Sequence, residues 1–190
     1  MTTGIVAIRS FARRIAFLAA LAGSGGVLAQ GGSNYAVGPG DVLSIQVYEE
    51  ADLSFPEMRI GDTGMINYPL LGEVPVAGST TGELEQLLRR KLVDGEFLIA
   101  PAVTVTIVEY RPFYINGEVE TPGGYPFQPG LTLRKAVSLA GGFTERANRK
   151  RFTIHRGGED PPGDDDAGTV NSLDAPVAPG DTITINERFF

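Results

Sequence analysis

The stretch GPGDVLSI at residues 38–45 sets how this chain begins to fold, and APGDTITI at residues 178–185 repeats its pattern. In each copy proline presets the first turn dihedral, glycine accepts the positive φ of a type II turn, and aspartate can bond nearby backbone. The apolar and polar residues that follow alternate with a period of two, which predicts a strand. The repeat indicates small β-rich modules whose strands begin at fixed places, and it does not indicate an active site. Its turn residues are Gly38, Pro39, Gly40, Asp41, Pro179, Gly180 and Asp181.

The N-terminal segment has the pattern of a secretory signal peptide. Arg9, Arg13 and Arg14 precede an apolar stretch at residues 15–21, and small residues at 27–29 suit cleavage after Ala29. The apolar stretch is shorter than the ~20 residues that a membrane-spanning helix needs. We therefore predict that residues 1–29 are removed, with an uncleaved N-terminal anchor as the alternative.

Charge and cysteine content exclude several classes of function. The net charge is −7, and loss of residues 1–29 makes it −10, because that segment holds three arginines and no acid. Nucleic-acid binding favours basic faces, so we expect no nucleic-acid partner. The chain has no cysteine, which excludes disulfides, a thiol nucleophile and a lipid-modified cysteine.

The first part of the chain predicts strands around one helix. Thr80 and Glu83 form a capping box, and leucines at helical spacing follow it until Asp94-Gly95. The best alternating strand pattern lies at residues 103–108, before Arg111-Pro112 interrupts it. The further predicted strands are residues 42–48, 59–60 and 64–71, with tight turns at Gly61-Asp62 and around Pro69.

The second part predicts a similar order after a domain boundary at residue 111. A strand at 113–119 contains Asn116-Gly117, which suits either a hairpin turn or, as we prefer, a bulge at Gly117, because the turn signal with Pro122 and Gly123 is stronger. Thr132 can cap a second helix, which Gly141-Gly142 ends. Strands at 151–156 and 182–186 flank an exposed loop at 157–168. The fold class is α+β, with two small β-rich domains that each carry one short helix.

No catalytic or metal-binding constellation stands out. The single histidine, His155, lies in a predicted strand without partners at zinc-ligand spacing. Paired acids could serve a secreted glycoside hydrolase, although adjacent acids in strands and turns are more typical of a solvated face. Residues 164–166 are three aspartates, but they lack the ligand spacing of a calcium loop. The paired acids considered for glycoside hydrolysis are Glu49, Glu50, Asp52, Glu118 and Glu120.

One basic cluster interrupts the acidic sequence, formed by Arg146, Arg149, Lys150 and Arg151. One interpretation is a solvated surface that pairs with the acidic loop. The other is contact with an acidic polymer or with an acidic face of a partner protein.

The ordered motifs resemble a known family. YAVGPGDVL at residues 35–43, with GDTG at 61–64 and PLLG at 69–72, resembles the polysaccharide export domain of outer-membrane capsule and exopolysaccharide export proteins. INGEV at 115–119, LAGGF at 139–143 and the closing PGDTI at 179–183 resemble a soluble-ligand-binding β-grasp (SLBB) domain. The resemblance divides the chain into a signal peptide at 1–29, an export domain at 33–111 and an SLBB β-grasp domain at 112–190.

This resemblance implies a non-enzymatic role, and the residues themselves predict no cofactor and no metal site. Such proteins form ring-shaped oligomers around a periplasmic cavity, with polysaccharide as cargo and an inner-membrane copolymerase as partner. Many members also carry a lipidated cysteine or a C-terminal pore helix, and this sequence shows neither. We therefore expect a periplasmic, outer-membrane-associated section of an export channel that uses a separate outer-membrane pore. The alternative is a stand-alone secreted carbohydrate-binding module with stacking tyrosines.

Overall fold

The computed structural model describes residues 35–157 and 168–188. The predicted signal peptide and the aspartates at 164–166 lie outside the described residues. Within those two stretches, no helix combines the length and the apolar character needed to cross a membrane. The elements are β1 (Val42–Val47), β2 (Phe55–Arg59), β3 (Met65–Tyr68), β4 (Gly72–Pro75), α1 (Thr81–Asp94), β5 (Val103–Glu109), β6 (Phe113–Gly117), β7 (Gly123–Tyr125), α2 (Leu133–Leu139), β8 (Ala147–His155), β9 (Gly168–Val170) and β10 (Thr182–Glu187).

The N-terminal half is built on a three-stranded antiparallel sheet with the order β2-β1-β5. The hairpin of β3 and β4 forms a separate two-stranded sheet, and α1 packs against β5. Apolar residues from these elements form one hydrophobic cluster, in which Tyr68 is fully buried and donates its hydroxyl to the Leu53 carbonyl at 2.6 Å. Burial raises the pKa of Tyr68 to about 12.

Helix α1 begins as the sequence predicts. The Thr80 hydroxyl accepts a hydrogen bond from the Glu83 backbone N–H, and the Glu83 carboxylate accepts one from the Thr80 backbone N–H at 2.8 Å. These bonds satisfy two donors that a helix start otherwise leaves unpaired. The bonds from Thr80 lower the pKa of Glu83. The buried face carries Leu84, Leu88 and Leu92, which match the predicted spacing.

The C-terminal half is a five-stranded sheet with the order β7-β6-β10-β8-β9. Strand β10 is central and runs parallel to β6 but antiparallel to β8, so the last strand joins pieces that are distant in sequence. Helix α2 contributes Leu133, Ala136 and Val137 to a second hydrophobic cluster, separate from the first. These small sheets with two helices confirm the predicted α+β class. The division into domains at residue 111 stays a prediction.

The strand predicted at 64–71 is wrong in its C-terminal part. Strand β3 ends at Tyr68, and Leu71 donates its N–H to the Tyr68 carbonyl at 3.2 Å in a tight turn. Leu70 takes a φ of 66° and Gly72 a φ of 70°, which reverse the chain into β4. The tight turn predicted around Pro69 is therefore present, and only the extension of the strand to residue 71 is wrong.

The predicted bulge at Gly117 is also wrong, because β6 ends there. Gly117 has a φ of 83°, and a Cβ at this position would stand 2.1 Å from the Ile185 carbonyl oxygen. The glycine therefore lets β6 leave the sheet while β10 passes close to its backbone. The chain returns through Pro122 into β7, which starts at Gly123, so the stronger turn signal marked the correct reversal.

Helix α2 ends as predicted but starts differently. Gly141 and Gly142 both have positive φ, and Gly142 donates its N–H to the Val137 carbonyl at 2.9 Å. Thr132 stands at the N-cap position, but its side chain forms no capping bond. The first N–H groups of α2 instead bond to the segment before β10, where Leu133 donates to the Ala175 carbonyl.

The first Pro-Gly-Asp turn is held by a buried carboxylate. Asp41 is 0% exposed and accepts three hydrogen bonds, from the Gly38 N–H at 2.8 Å, the Tyr35 hydroxyl at 2.7 Å and the Arg111 N–H at 2.7 Å. Burial and the bond to Asp41 raise the pKa of Tyr35. The aspartate thus closes its own turn and also fixes the start of the connection between the halves.

The second turn repeats this arrangement. Asp181 is 0% exposed and accepts bonds from the Ala178 N–H at 2.8 Å, the Gly157 N–H at 3.4 Å and the Arg156 guanidinium at 2.6 Å. In both copies the carboxylate bonds the N–H three residues earlier and a backbone N–H from a distant part of the chain. The repeated phrase is therefore a repeated device for anchoring a turn.

Arg111 joins the two turns. Its backbone N–H binds Asp41, while its side-chain Nε donates to the Pro179 carbonyl at 3.1 Å. A Cβ at Gly180, in the second turn, would lie 2.7 Å from the same Nε. The glycine at this position therefore leaves room for the Arg111 side chain. The two motifs, at opposite ends of the described chain, therefore meet around one arginine.

Candidate functional site

The basic segment predicted from the sequence lies in an irregular part of β8. Ile185 of β10 pairs with Phe152, and Glu187 pairs with Ala147, so β8 advances five residues while β10 advances two. The extra residues leave the ladder as a bulge, which we call the basic bulge and define as residues 148–151. Three of its side chains are exposed cations: Arg149, Lys150 and Arg151.

Local contacts hold the shape of the basic bulge. The Asn148 side-chain oxygen accepts a hydrogen bond from the Lys150 backbone N–H at 3.0 Å. The Arg149 guanidinium lies over the Phe143 ring at 5.7 Å, and that ring stacks on buried Phe152. A cation above an aromatic face is stabilised by electrostatic attraction to the ring. Arg149 is therefore positioned by the core beneath it.

Arg146 differs from the other members of the predicted cluster. Its guanidinium forms an ion pair with Glu187, in which Nε donates at 2.9 Å, and the carboxylate raises the pKa of Arg146. Within the part of the chain that the structure describes, Arg149, Lys150 and Arg151 form no ion pair. Arg146 is therefore paired with a carboxylate, whereas the exposed cations of the basic bulge have no ion pair among the described residues.

A cleft of about 680 Å³ lies beside the basic bulge. This volume falls within the ~300–1,000 Å³ range of small-molecule pockets. Among the described residues, the lining includes three cations and one acid, and Arg146 and Arg151 are not part of it. The lining residues are Glu145, Ala147, Asn148, Arg149, Lys150 and Arg188.

Arg188 was missed as a site residue by the sequence analysis. It follows β10, and its backbone N–H donates to the Arg146 carbonyl at 2.8 Å, which brings it beside the start of β8. No local motif signals this neighbour, because the antiparallel pairing of β8 with β10 creates the proximity. Knowledge of that pairing would have been the only signal.

The donor set of the cleft suits an anionic ligand. Arginine presents several N–H groups in a fork that matches carboxylate geometry, and lysine adds a point charge. Asn148 offers an amide, although its oxygen is already used within the bulge. The arrangement can bind and orient acidic groups.

Glu118 and the pair of Glu49 and Glu50 have different surroundings. The Glu118 carboxylate bonds the Thr144 hydroxyl, next to the connection between β6 and β7. Glu49 has a φ of 63° in the turn after β1, and together with Glu50 it lines a second cleft of about 440 Å³. His155 lies in β8 opposite Thr182. Across the described residues, no group of three or more metal-ligating side chains comes together.

The second cleft is more apolar at its rim. Ile99 is 96% exposed and Tyr48 is 73% exposed, and both line this cleft with Phe97. Exposed large apolar side chains beside acids contrast with the cationic cleft of the C-terminal half.

Comparison with protein families gives a consistent assignment. The sequence model of the family described as polysaccharide biosynthesis/export protein matches residues 29–108. The sequence model of the SLBB domain matches residues 112–168. The chain belongs to the polysaccharide biosynthesis/export protein family. The export match contains the first Pro-Gly-Asp turn, and the SLBB match contains the basic bulge. Strand β10 and Arg188 lie beyond the SLBB match, although β10 is the central strand of that sheet.

Curated relatives match most of this chain but only part of their own length. The chain is 37% identical over 149 residues to the exopolysaccharide production protein ExoF of Rhizobium meliloti, covering 73% of this chain and 35% of that protein. It is 32% identical over 151 residues to the EPS I polysaccharide export outer membrane protein EpsA of Ralstonia nicotianae, covering 66% of this chain and 39% of that protein. EpsA of Ralstonia solanacearum is 29% identical over 151 residues. The chain spans 35–40% of the length of these relatives.

Proposed function

We propose that this protein is a non-enzymatic component of a channel that exports capsule or exopolysaccharide through the cell envelope. The observation that carries the proposal is that the export model matches residues 29–108 and the SLBB model matches the next segment, residues 112–168. The two hydrophobic clusters follow the same order along the chain, one in each matched half. The Ralstonia relatives are named as polysaccharide export outer membrane proteins, which supports the same role.

The finer parts of the proposal concern place and assembly. The signal-peptide pattern at residues 1–29 supports secretion into the periplasm, with association to the outer membrane. The protein assembles as a ring-shaped homo-oligomer, works with an inner-membrane polysaccharide copolymerase and uses a separate outer-membrane pore. The export domain spans 33–111 and the SLBB domain spans 112–190. The bonds of Arg111 to Asp41 and Pro179 support a fixed arrangement of these two domains in such a ring.

The non-enzymatic part rests on what the polar groups do. The cleft presents cations and an amide, which are suited to holding a ligand. Glu118, one of the candidate acids for glycoside hydrolysis, bonds Thr144 and secures the chain where β6 ends. Full activity of the wild-type protein on any polysaccharide, lost in Glu118→Gln, would contradict this assignment.

A gene deletion tests the export role. Loss of the gene should lower surface polysaccharide, and the wild-type gene should restore it. Light scattering of the mature chain, alone and with the copolymerase, should give a mass above that of the monomer. Unchanged secretion together with a strictly monomeric protein would refute the proposal.

A stand-alone carbohydrate-binding module is the second candidate. The described residues that line the cleft all come from the C-terminal half, which favours this candidate. Saturable binding of an oligosaccharide by a monomer, with normal export in the deletion strain, would select this candidate instead.

A further inference from the structure

The cleft at the basic bulge concentrates positive charge in an acidic protein. The whole chain has a net charge of −7, whereas the described residues that line the cleft include Arg149, Lys150 and Arg188 and one acid, Glu145. A concave surface lined by one sign of charge focuses the field and raises the local concentration of the opposite ion. The local charge therefore selects anions in a molecule that otherwise repels them.

The bulge exists at a cost to the sheet, and its cations are left available. A regular β8 would keep pairing with β10 between Ala147 and Phe152, yet residues 148–151 leave the ladder. Asn148 stabilises the distorted backbone, and Phe143 supports the Arg149 guanidinium from below. In the described residues, the nearby Glu187 bonds Arg146 rather than the cations of the bulge. The geometry thus keeps Arg149 and Lys150 open to an external ligand.

The lining favours a glycan over a protein face. Stable protein interfaces bury ~800 Å² per partner around an apolar or aromatic core. Among the described residues that line the cleft, Ala147 is the only apolar one, and it is buried. The second cleft, with Tyr48 and Ile99, has the exposed apolar side chains that this one lacks. An extended chain with repeated acidic groups fits a cationic cleft without such anchors.

We infer that the basic cleft binds a carboxylate-bearing segment of a polysaccharide through Arg149 and Lys150. The choice of a glycan among polyanions rests on the proposed export function. Each exposed charge contact contributes little and is screened by salt. Repeated acidic groups along one polymer supply the avidity that single contacts lack.

Matched ligands and variants test the inference on the full mature chain. The probes are oligogalacturonate, its methyl-esterified form with the same backbone but no charge, and neutral dextran oligosaccharides. We expect calorimetry to show binding of oligogalacturonate alone, weakening as salt rises. The double variant Arg149→Gln/Lys150→Gln should weaken it about tenfold. The control Arg89→Gln/Arg90→Gln, on the exposed surface of α1, removes the same charge and should leave affinity within twofold.

Amide NMR provides a second readout that does not depend on affinity alone. Oligogalacturonate should shift resonances of residues 145–150 and of Arg188, while those of α1 stay unchanged. Equal binding of the methyl ester, or equal losses in the bulge and α1 variants, would overturn the inference. Tighter binding of poly-glutamate than of oligogalacturonate, lost in the bulge variant, would assign the cleft to an acidic partner protein and would also overturn it.

The two proposals can fail separately. If the deletion strain loses surface polysaccharide but oligogalacturonate does not bind, the export function stands and the inferred ligand is wrong. If oligogalacturonate binds as expected and the deletion strain exports normally, the ligand class stands and the export function is wrong.

Discussion

Asp41 offers the sharpest test of how the Pro-Gly-Asp turns stabilise this protein. Its carboxylate is fully buried and accepts three hydrogen bonds, from Gly38, Tyr35 and Arg111. Asparagine has nearly the same shape but only one acceptor oxygen. In Asp41→Asn the new amide group must face the N–H of Gly38 or of Arg111, so at least one bond is lost and one buried donor is unpaired.

The magnitude follows from those two losses. A hydrogen bond to a charged group contributes ~1.5–3 kcal/mol, and an unsatisfied buried donor costs ~1–3 kcal/mol. Because the two figures overlap in what they count, we expect Asp41→Asn to lower the free energy of unfolding by about 3 kcal/mol. The measurement is urea denaturation of the mature chain followed by far-UV circular dichroism, with the m-value compared between variants.

Asp174→Asn is the matched control for Asp41→Asn. The Asp174 side chain is 78% exposed and pairs with Arg134 at 3.2 Å. An exposed ion pair is worth ~0–1 kcal/mol, so this variant should stay close to the wild type. A loss below about 1 kcal/mol in Asp41→Asn, or equal losses in the two variants, would refute the reasoning that the buried carboxylate anchors the turn.

Three further predictions test the framework around the site. Gly117→Ala should lower the free energy of unfolding by at least ~3 kcal/mol, because Gly117 has a positive φ and the new Cβ would clash with a carbonyl of β10. The control Gly123→Ala, whose Cβ would have no atom within 4 Å, should change little in the same urea assay. Thr80→Ala should cost ~1 kcal/mol by removing the bond to the Glu83 N–H, and an equally unstable Gly82→Ala would show that the cap is not the cause. Tyr68 is neutral in the fold up to a pKa of about 12, so its contribution is constant below pH 10 and then falls as pH rises, by ~1.4 kcal/mol at pH 11. Tyr68→Phe should lose that part of the alkaline decline, and an unchanged decline would contradict the assignment.

Sequence patterns predicted the structure correctly where interactions between neighbouring residues determine it. The capping box at Thr80 and Glu83, the leucine face of α1 and the alternation of β5 depend on residues within one element, and all three are confirmed. The turn glycines also behave as predicted, with φ of 93° at Gly40 and 83° at Gly180. Such features need only the steric and hydrogen-bonding properties of neighbouring residues.

The errors occurred where distant backbone decides the outcome. Gly117 was assigned a bulge because its role comes from the Ile185 carbonyl, which approaches from a strand near the other end of the described chain. Thr132 was assigned a cap, yet the backbone of Ala175 takes the Leu133 N–H through tertiary contact. In each case a long-range partner overrode a plausible local pattern.

The candidate site divides in the same way. The basic residues at 146–151 were visible as a charge cluster, and their function as a polymer contact stays a prediction. Their separation into a paired Arg146 and an open Arg149 with Lys150 required Glu187 on β10. Arg188 joined the cleft only through the register of β10 against β8.

The sequence by itself determined the turns, the capped helix, the strand periods and the family, because each is written in short-range order. Only the tertiary structure decided that Asp41 and Asp181 are both buried and that Arg111 binds the two turns together. A buried carboxylate must find donors wherever the chain brings them, and those donors here come from 70 residues away for Asp41 and 24 for Asp181. The bond from Arg111 to Asp41 links the two halves, while the pairing of β10 with β8 places Arg188 beside the basic bulge, where the cleft forms.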